Sequence, residues 1–406
     1  MQESGIAWQF VCETPSVPLC VPADSRFDTM RSEREESVSR MDKIARFRLQ
    51  RHHFMDESPT DPVTICRDVC GVQAQVMSAA YLQLWARNHA LTRAEIEAAL
   101  WQSRTLVKTS LMRQTLHFIP TDEFPIYISA LRACRRAGAL RVMERCGISA
   151  EEAEDITQAT LQVLANGPCG RAEIVAALRP KASKAARYWI ENSWGLVRVP
   201  VADGLVCYGS GENNEANFML VDQWLPKLKM KQIPPSEAQH ALLKKYLRAY
   251  GPATVMDFSH WAGIPMREIT LLRPLEDPEI VEFPGDEKGC LLLREDLAML
   301  RKSSKRSACI RLLPNFDVYL LAHREKEHLL GAEHYKRVYR NQGWISPVVL
   351  VDGAIAGVWS YKQQGKKIGL AIEAFTKLDK AVRAAIEREA ESLARFYASD
   401  LQLRFG

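Results

Sequence analysis

Arg93-Ala94-Glu95-Ile96-Glu97-Ala98-Ala99-Leu100 returns 78 positions later as Arg171-Ala172-Glu173-Ile174-Val175-Ala176-Ala177-Leu178. Gly167-Pro168 returns as Gly251-Pro252, 84 positions on, each time after an amphipathic stretch and before a short one. A period of about 80 is too long for a solenoid repeat and suits small domains in series. The third copy reads most openly. Leu242, Leu243, Tyr246, Leu247 and Tyr250 stripe a helix over 237–250 at i, i+3, i+4 spacing. Gly251-Pro252 stops it, a short helix over 254–262 ends at Gly263, and Pro265 opens another over 266–272. Strands over 280–283 and 290–293 follow, so three helices and a β-hairpin make a winged helix.

The second copy repeats this order, with helices over 150–164, 171–178 and 183–193 and a hairpin of 195–199 against 205–208. The first has helices near 61–70, 77–85 and 92–102, then strands over 106–110 and 115–119. Beyond residue 303 the pattern changes. Stretches 308–313, 318–321, 346–351, 354–358 and 367–372 read as strands, Asp352-Gly353 reads as a hairpin turn, and 378–397 is an amphipathic helix. The expected fold class is α+β, with three tandem winged-helix domains followed by a small β-barrel and a C-terminal helix. The boundaries fall at 41–148, 149–232, 233–302, 303–375 and 376–406.

The 406 residues carry 54 Lys and Arg against 49 Asp and Glu, a formal charge of +5, with 47% hydrophobic and 25% charged residues. Those values exclude a disordered, collagenous or supercharged chain. No apolar run reaches the roughly 18 residues of a membrane helix, and no secretory signal is visible. A cytoplasmic protein with no membrane partner is expected. Residues 1–40 hold seven acids and four arginines, a net of −3, which leaves +8 on the rest. This leader reads as a disordered extension upstream of a start at Met41. The ten cysteines are scattered without any C-x-x-C pair. Cys66 and Cys70 share a helix face, with His52 and His53 near in sequence, but no set of normal zinc spacing is completed. Reduced, buried thiols are expected, with no metal and no cofactor.

A winged helix commonly lays its third helix in the major groove. In the second copy Arg179, Lys181, Lys184 and Arg187 cluster there, and Ser183 is placed to cap the helix. Arg301, Lys302, Lys305, Arg306 and Arg311 form the densest basic stretch, and Lys336, Arg337 and Arg340 interleave with Tyr335 and Tyr339. Each run alone reads equally as a solvated face. Together, on tandem modules, they favour double-stranded DNA held mainly through its backbone.

The chain also carries Cys70-Gly71-Val72-Gln73-Ala74-Gln75, then Arg104-Thr105-Leu106-Val107-Lys108, then Leu111-Met112-Arg113-Gln114-Thr115-Leu116-His117-Phe118-Ile119-Pro120. Tyr250-Gly251-Pro252-Ala253-Thr254, Leu312-Leu313-Pro314-Asn315-Phe316-Asp317 and Gly343-Trp344-Ile345-Ser346-Pro347-Val348 follow. In this order the set resembles the AlkZ/YcaQ-type tandem winged-helix DNA glycosylases over about residues 42–375. The resemblance implies a C-shaped stack of three winged helices plus a β-barrel. It also implies excision of alkylated purines and unhooking of interstrand crosslinks. The family's catalytic signature, Gln, a residue usually apolar, then Gln or Asp, falls on Gln73 and Gln75. The Gln form resembles the crosslink-resistance branch found with antibiotic clusters. Where the family usually has Gly after Met-Arg, this chain has Gln114, which bears on the pocket wall and substrate range.

On an extended segment residues i and i+2 share a side, so Gln73 and Gln75 can converge. The residues alone equally allow two amides that cap neighbouring backbone. Gln is a poor acid or base, which suits a purine made cationic by N7 or N3 alkylation, because that base already leaves readily. The amide oxygens would hold the attacking water. With no lysine beside the motif on that segment, hydrolysis without a lyase step is expected. Lys108, Arg113, His117, Lys184, Arg187, Arg301, Lys302, Lys305 and Arg306 are the expected DNA contacts of a monomer acting on alkylated or crosslinked duplexes. For His117 and Arg113 a packed core histidine and a buried ion-paired arginine stay equally open, and Asp317 reads as a turn residue. Two other classes remain on the residues alone. One is a winged-helix DNA-binding regulator without chemistry, and the other is a resistance protein that sequesters a toxin.

Overall fold

The element order in the computed structural model is set by local signals repeated along the chain. The described residues are 43–55, 59–193, 195–211, 217–283, 289–301 and 308–406. The acidic leader expected to be disordered lies outside them. Helix, two-residue strand, two helices and two strands occur in that order three times. The first set is Pro62–Asp68, Val72–Gln73, Met77–Trp85, Arg93–Glu97 continued by the π-helical turn Ala98–Gln102, then Leu106–Ser110 and Leu116–Pro120. The second is Ala150–Leu164, Cys169–Gly170, Arg171–Leu178, Lys184–Asn192, Val206–Tyr208 and Asn217–Leu220. Pro235–Tyr250, Ala253–Thr254, Val255–Ala262, Met266–Thr270, Ile280–Glu282 and Cys290–Leu293 make the third.

The Gly-Pro repeat is in phase with this order, since each pair precedes the two-residue strand. The octapeptide repeat is not. Its first copy opens the last helix of set one, and its second opens the middle helix of set two. What the two copies share is a start signal. Glu95 accepts from the backbone N–H of Thr92 at 2.8 Å, and Glu173 accepts from that of Gly170 at 2.7 Å. A first-turn carboxylate that satisfies an orphan N–H marks a helix start, whichever helix it is.

The hairpin expected over 195–208 forms elsewhere. Residues Arg198–Ala202 are a helix whose Val199, Val201 and Ala202 are buried, and Val206–Tyr208 pairs with Asn217–Leu220 instead. Pro200 is tolerated there because N–H groups of a first helical turn have no intrahelical acceptor, so proline's missing N–H costs no helical bond. Strands of the first two sets join in one six-stranded sheet through Lys108 opposite Tyr208.

The barrel expected after residue 303 is an open five-stranded sheet. Its order is Ile310–Leu313, Val348–Val351, Ala354–Gln364, Lys367–Ala374, Asp400–Phe405, and its two edge strands do not pair. Closure would need those edges to meet. Here the last strand runs parallel to Lys367–Ala374, reached by crossing over helix Lys380–Phe396, whose apolar residues Ile386, Ala390 and Leu393 are buried in the core of this sheet. Asp352 and Gly353 take the positive φ values of 49° and 92° that a tight hairpin turn needs. The stretch 318–321, expected as a strand, is a helical turn capped by Asp317, which accepts from the N–H of Tyr319 at 2.9 Å.

Two long ties hold the first repeat, one to the C-terminal sheet and one to the third repeat. Asp317 accepts both arms of the Arg87 guanidinium at 2.8 and 2.9 Å, with both side chains fully buried. Tyr250, at the end of the central helix Pro235–Tyr250, donates its hydroxyl to the carbonyl of Val69 at 2.7 Å. Among the described residues no helix is long and apolar enough to cross a membrane.

Candidate active site

Gln73 is delivered by the turn that ends helix Pro62–Asp68. Cys70 and Gly71 take φ of 56° and 89°, and a Cβ on Gly71 would sit 2.9 Å from Ile119 Cγ2. Only glycine turns the chain so close to its neighbour. Val72 and Gln73 then pair with Phe118 and His117 of the facing strand. The backbone is extended, as expected, and the next helix starts only at Met77.

Both amides are anchored on the hairpin of strands Leu106–Ser110 and Leu116–Pro120, Gln73 at its turn and Gln75 at the start of its second strand. Arg113 Nη2 donates to Gln73 Oε1 at 3.3 Å, and the backbone N–H of Leu116 donates to Gln75 Oε1 at 3.4 Å. A guanidinium has donors only, so the oxygen of Gln73 must be the end that faces it. Each amide oxygen keeps a second lone pair for another donor, such as water. Gln83, fully buried, was not singled out by the sequence pattern. Its Nε2 donates to the Gln73 carbonyl at 2.8 Å, and its Oε1 accepts from the N–H of Val318 at 3.3 Å. One amide thus ties the site strand to the helical turn 318–321 beside the C-terminal sheet.

Arg113 occupies a left-handed backbone position, φ 52°, and its Nη1 donates to the Trp261 carbonyl at 2.7 Å. Burial brings its pKa down to about 10, so it stays charged at neutral pH. His117 is buried, and its Nδ1 lies 2.9 Å from the Thr115 carbonyl, which fixes the proton on that nitrogen. Burial holds the ring's pKa at about 3, so it is neutral and supplies no charge to DNA. Gln114 sits at φ 62° with its Nε2 where a Cβ on Gly138 would approach to 3.0 Å. The larger side chain is therefore accommodated by a glycine on the facing helix Phe124–Arg145.

A cleft of about 600 Å³ opens beside Gln75. Gln75, Ser78, Lys108, Gln114, Arg135 and Arg198 are among its walls, and no acidic residue lines it. A pair of neutral amides next to cations, with no carboxylate, can orient water and stabilise charge but cannot act as a strong base.

Residues 66–396 match the sequence profile described as DNA glycosylase AlkZ-like. The chain belongs to the AlkZ-like DNA glycosylases. An interstrand DNA cross-link repair glycosylase of Streptomyces sahachiroi is 29% identical over 359 residues, covering 87% of this chain and 95% of that one. The solved structure of the Streptomyces sahachiroi DNA glycosylase AlkZ superposes with a TM-score of 0.79 at 27% identity, covering 90% of this chain and 99% of the other.

In this AlkZ-like chain the expected DNA contacts lie in several places. Lys184 and Arg187 are exposed on helix Lys184–Asn192, capped by Ser183, with Tyr188 71% exposed between them and the strands that follow. Arg301 is exposed at the end of helix Asp296–Arg301. Lys302, Lys305 and Arg306 lie outside the described residues. Lys108 is nearly buried in the cleft and donates to the Met77 sulfur at 3.1 Å. Lys336, Tyr339, Arg340 and Trp344 line a second, shallower cavity of about 620 Å³ on the C-terminal sheet domain. Arg135 was missed by sequence reading because it looks like one more basic residue in a run that also holds Arg132, Arg136, Arg141 and Arg145. Among the described residues no cluster of three or more His, Cys, Asp or Glu is arranged to hold a metal.

Proposed function

We propose that this glycosylase hydrolyses the N-glycosidic bond of purines alkylated at N7 or N3, including those tethered across the duplex as interstrand crosslinks. The carrying observation is that the amide oxygens of Gln73 and Gln75 are both held by one β-hairpin, through Arg113 and Leu116, with Gln75 lining an open cleft that no carboxylate lines. Alkylation leaves the purine cationic. The C1′–N bond breaks with its electron pair going to the base, which departs neutral and needs no proton from the enzyme. The sugar becomes oxocarbenium-like. A water held by the free lone pairs of Gln73 and Gln75 adds its oxygen to C1′ and releases its proton to solvent. Orientation and electrostatics are all the site must supply, and amides can supply both. The relative from Streptomyces sahachiroi, named for cross-link repair, supports the tethered substrate class.

The three recurrent element sets read as winged helices at 41–148, 149–232 and 233–302. They present Lys184, Arg187 and Arg301 to duplex DNA, with the protein acting as a cytoplasmic monomer. Arg113 reads here as a residue that positions Gln73. Measuring base release from monoadducted and crosslinked N7-alkylguanine duplexes tests the assignment. Gln73→Ala with Gln75→Ala should lower release by on the order of a hundredfold or more while leaving duplex affinity in place. Intact glycosidic bonds with the unaltered protein, and no abasic site after heating, would refute it.

A further inference from the structure

The cleft beside Gln75 holds more positive charge than base release requires. Four elements build most of it: the start of helix Met77–Trp85, the seam of Lys108 with Tyr208, the facing helix Phe124–Arg145 and the short helix Arg198–Ala202. Arg135 is only 6% exposed, and its Nε and Nη1 have no hydrogen-bond partner. Orphaned, buried guanidinium donors are costly unless something outside the chain accepts from them. Lys108 spends its ammonium on a thioether, a weak acceptor, and burial lowers its pKa to about 8. Helix Met77–Trp85 begins at Val76 with no side-chain cap, so its first N–H groups face the same space without an acceptor from the Ncap. Arg198 adds an exposed guanidinium at the rim.

Unpaired guanidinium donors, a poorly satisfied ammonium and an uncapped helix start all call for one kind of ligand, an anion with several oxygens. We propose that this cleft seats a phosphodiester of the damaged DNA strand, next to the lesion, between Arg135, Lys108, Arg198 and the start of helix Met77–Trp85. The volume of about 600 Å³ has room for the phosphate with its sugar and not merely a bare ion. A phosphate fixed there holds the reacting C1′ at a set distance from Gln75, and its own charge opposes the positive charge that grows on the sugar. The recognition chemistry is carried by the first and second repeats jointly. This inference rests on the glycosylase reading above for its substrate.

Duplexes with one N7-alkylguanine and a single methylphosphonate at successive linkages around it provide the test. For the unaltered protein, one linkage should lower kcat/KM by on the order of tenfold to a hundredfold, as loss of a charge-assisted contact does. In Arg135→Met and Arg198→Gln the loss at that linkage should shrink severalfold, most in Arg135→Met; Arg198 is exposed, so its variant keeps the fold. Inorganic phosphate, matched against chloride for ionic strength, should raise the Tm of the unaltered protein and not that of Arg135→Met. An even response to every linkage, identical in all three proteins, overturns the proposal. Phosphate protection with an even scan also overturns it, and marks a site for a free phosphate compound. Repeating the scan as equilibrium binding with Gln73→Ala, Gln75→Ala protein separates the two readings. Affinity lost at one linkage supports the seat even if the unaltered protein releases no base.

Discussion

Arg113 and Gln73 meet at 3.3 Å, guanidinium to amide oxygen, while the other arm of Arg113 is held at 2.7 Å by the carbonyl of Trp261 in the third repeat. The site strand of the first repeat is thus aimed by backbone of the third. A fork that bonds two fixed acceptors orients the amide, and a point charge cannot do the same. Arg113→Lys should therefore lower kcat by on the order of tenfold to a hundredfold with KM little changed, measured under single turnover and at saturation. A raised KM with unchanged kcat would instead make Arg113 a direct DNA contact.

Gln114 holds a left-handed backbone position, φ 62°, that glycine adopts more readily. Gln114→Gly should leave thermal stability equal or raise it by about 1 kcal/mol, and should enlarge the cleft it lines. The expected kinetic effect is a higher ratio of kcat/KM for bulky over small N7 adducts. An unchanged ratio would show that the side chain does not limit the pocket.

The buried Arg87–Asp317 pair gives a stability prediction. Removing one partner leaves an uncompensated buried charge, so Asp317→Leu or Arg87→Met should each cost about 3–5 kcal/mol in denaturant unfolding. The double variant should recover part of that loss, since no charge is left uncompensated, while the Tyr319 N–H and the Gln83 carbonyl still lose their partners. Base release by the double variant should persist at permissive temperature, because Gln83 still ties Val318 to Gln73.

Three buried histidines predict the acid limb of stability. His117 is lowered to about 3, first by burial, and burial likewise holds His52 and His323 well below the ordinary value. Above about pH 6.5 folded and unfolded forms are both neutral at these sites. Below it the unfolded chain takes up protons that the folded chain refuses, so stability falls as pH drops from 6.5 toward 3. Tm should be level above pH 7 and fall steeply below 6. A level profile down to pH 5 would contradict the neutral, buried assignment.

Much of the architecture was legible in local signals. Capping boxes, the Gly263 stop and the Asp352-Gly353 turn act within four residues, and the helices they mark were placed within a few positions. Residues 195–199 and 318–321 went the other way because apolar alternation fits a short buried helix as well as a strand. The octapeptide repeat marks two helix starts rather than one recurring position, since a first-turn glutamate marks any helix start.

Glycine at 71, extended chain at 72–73 and two amides two residues apart followed from the order of amino acids. Backbone geometry and side-chain chemistry at that range depend on near neighbours alone. Folding in three dimensions left the sheet open where a barrel was expected. It brought Trp261 to Arg113, threaded Gln83 between the site and the helical turn 318–321, and closed a cationic cleft around an unpaired Arg135. Those outcomes join residues up to 235 positions apart. Nothing in a local stretch records which buried donor will lack an acceptor, because that depends on how all the packed elements share their hydrogen bonds.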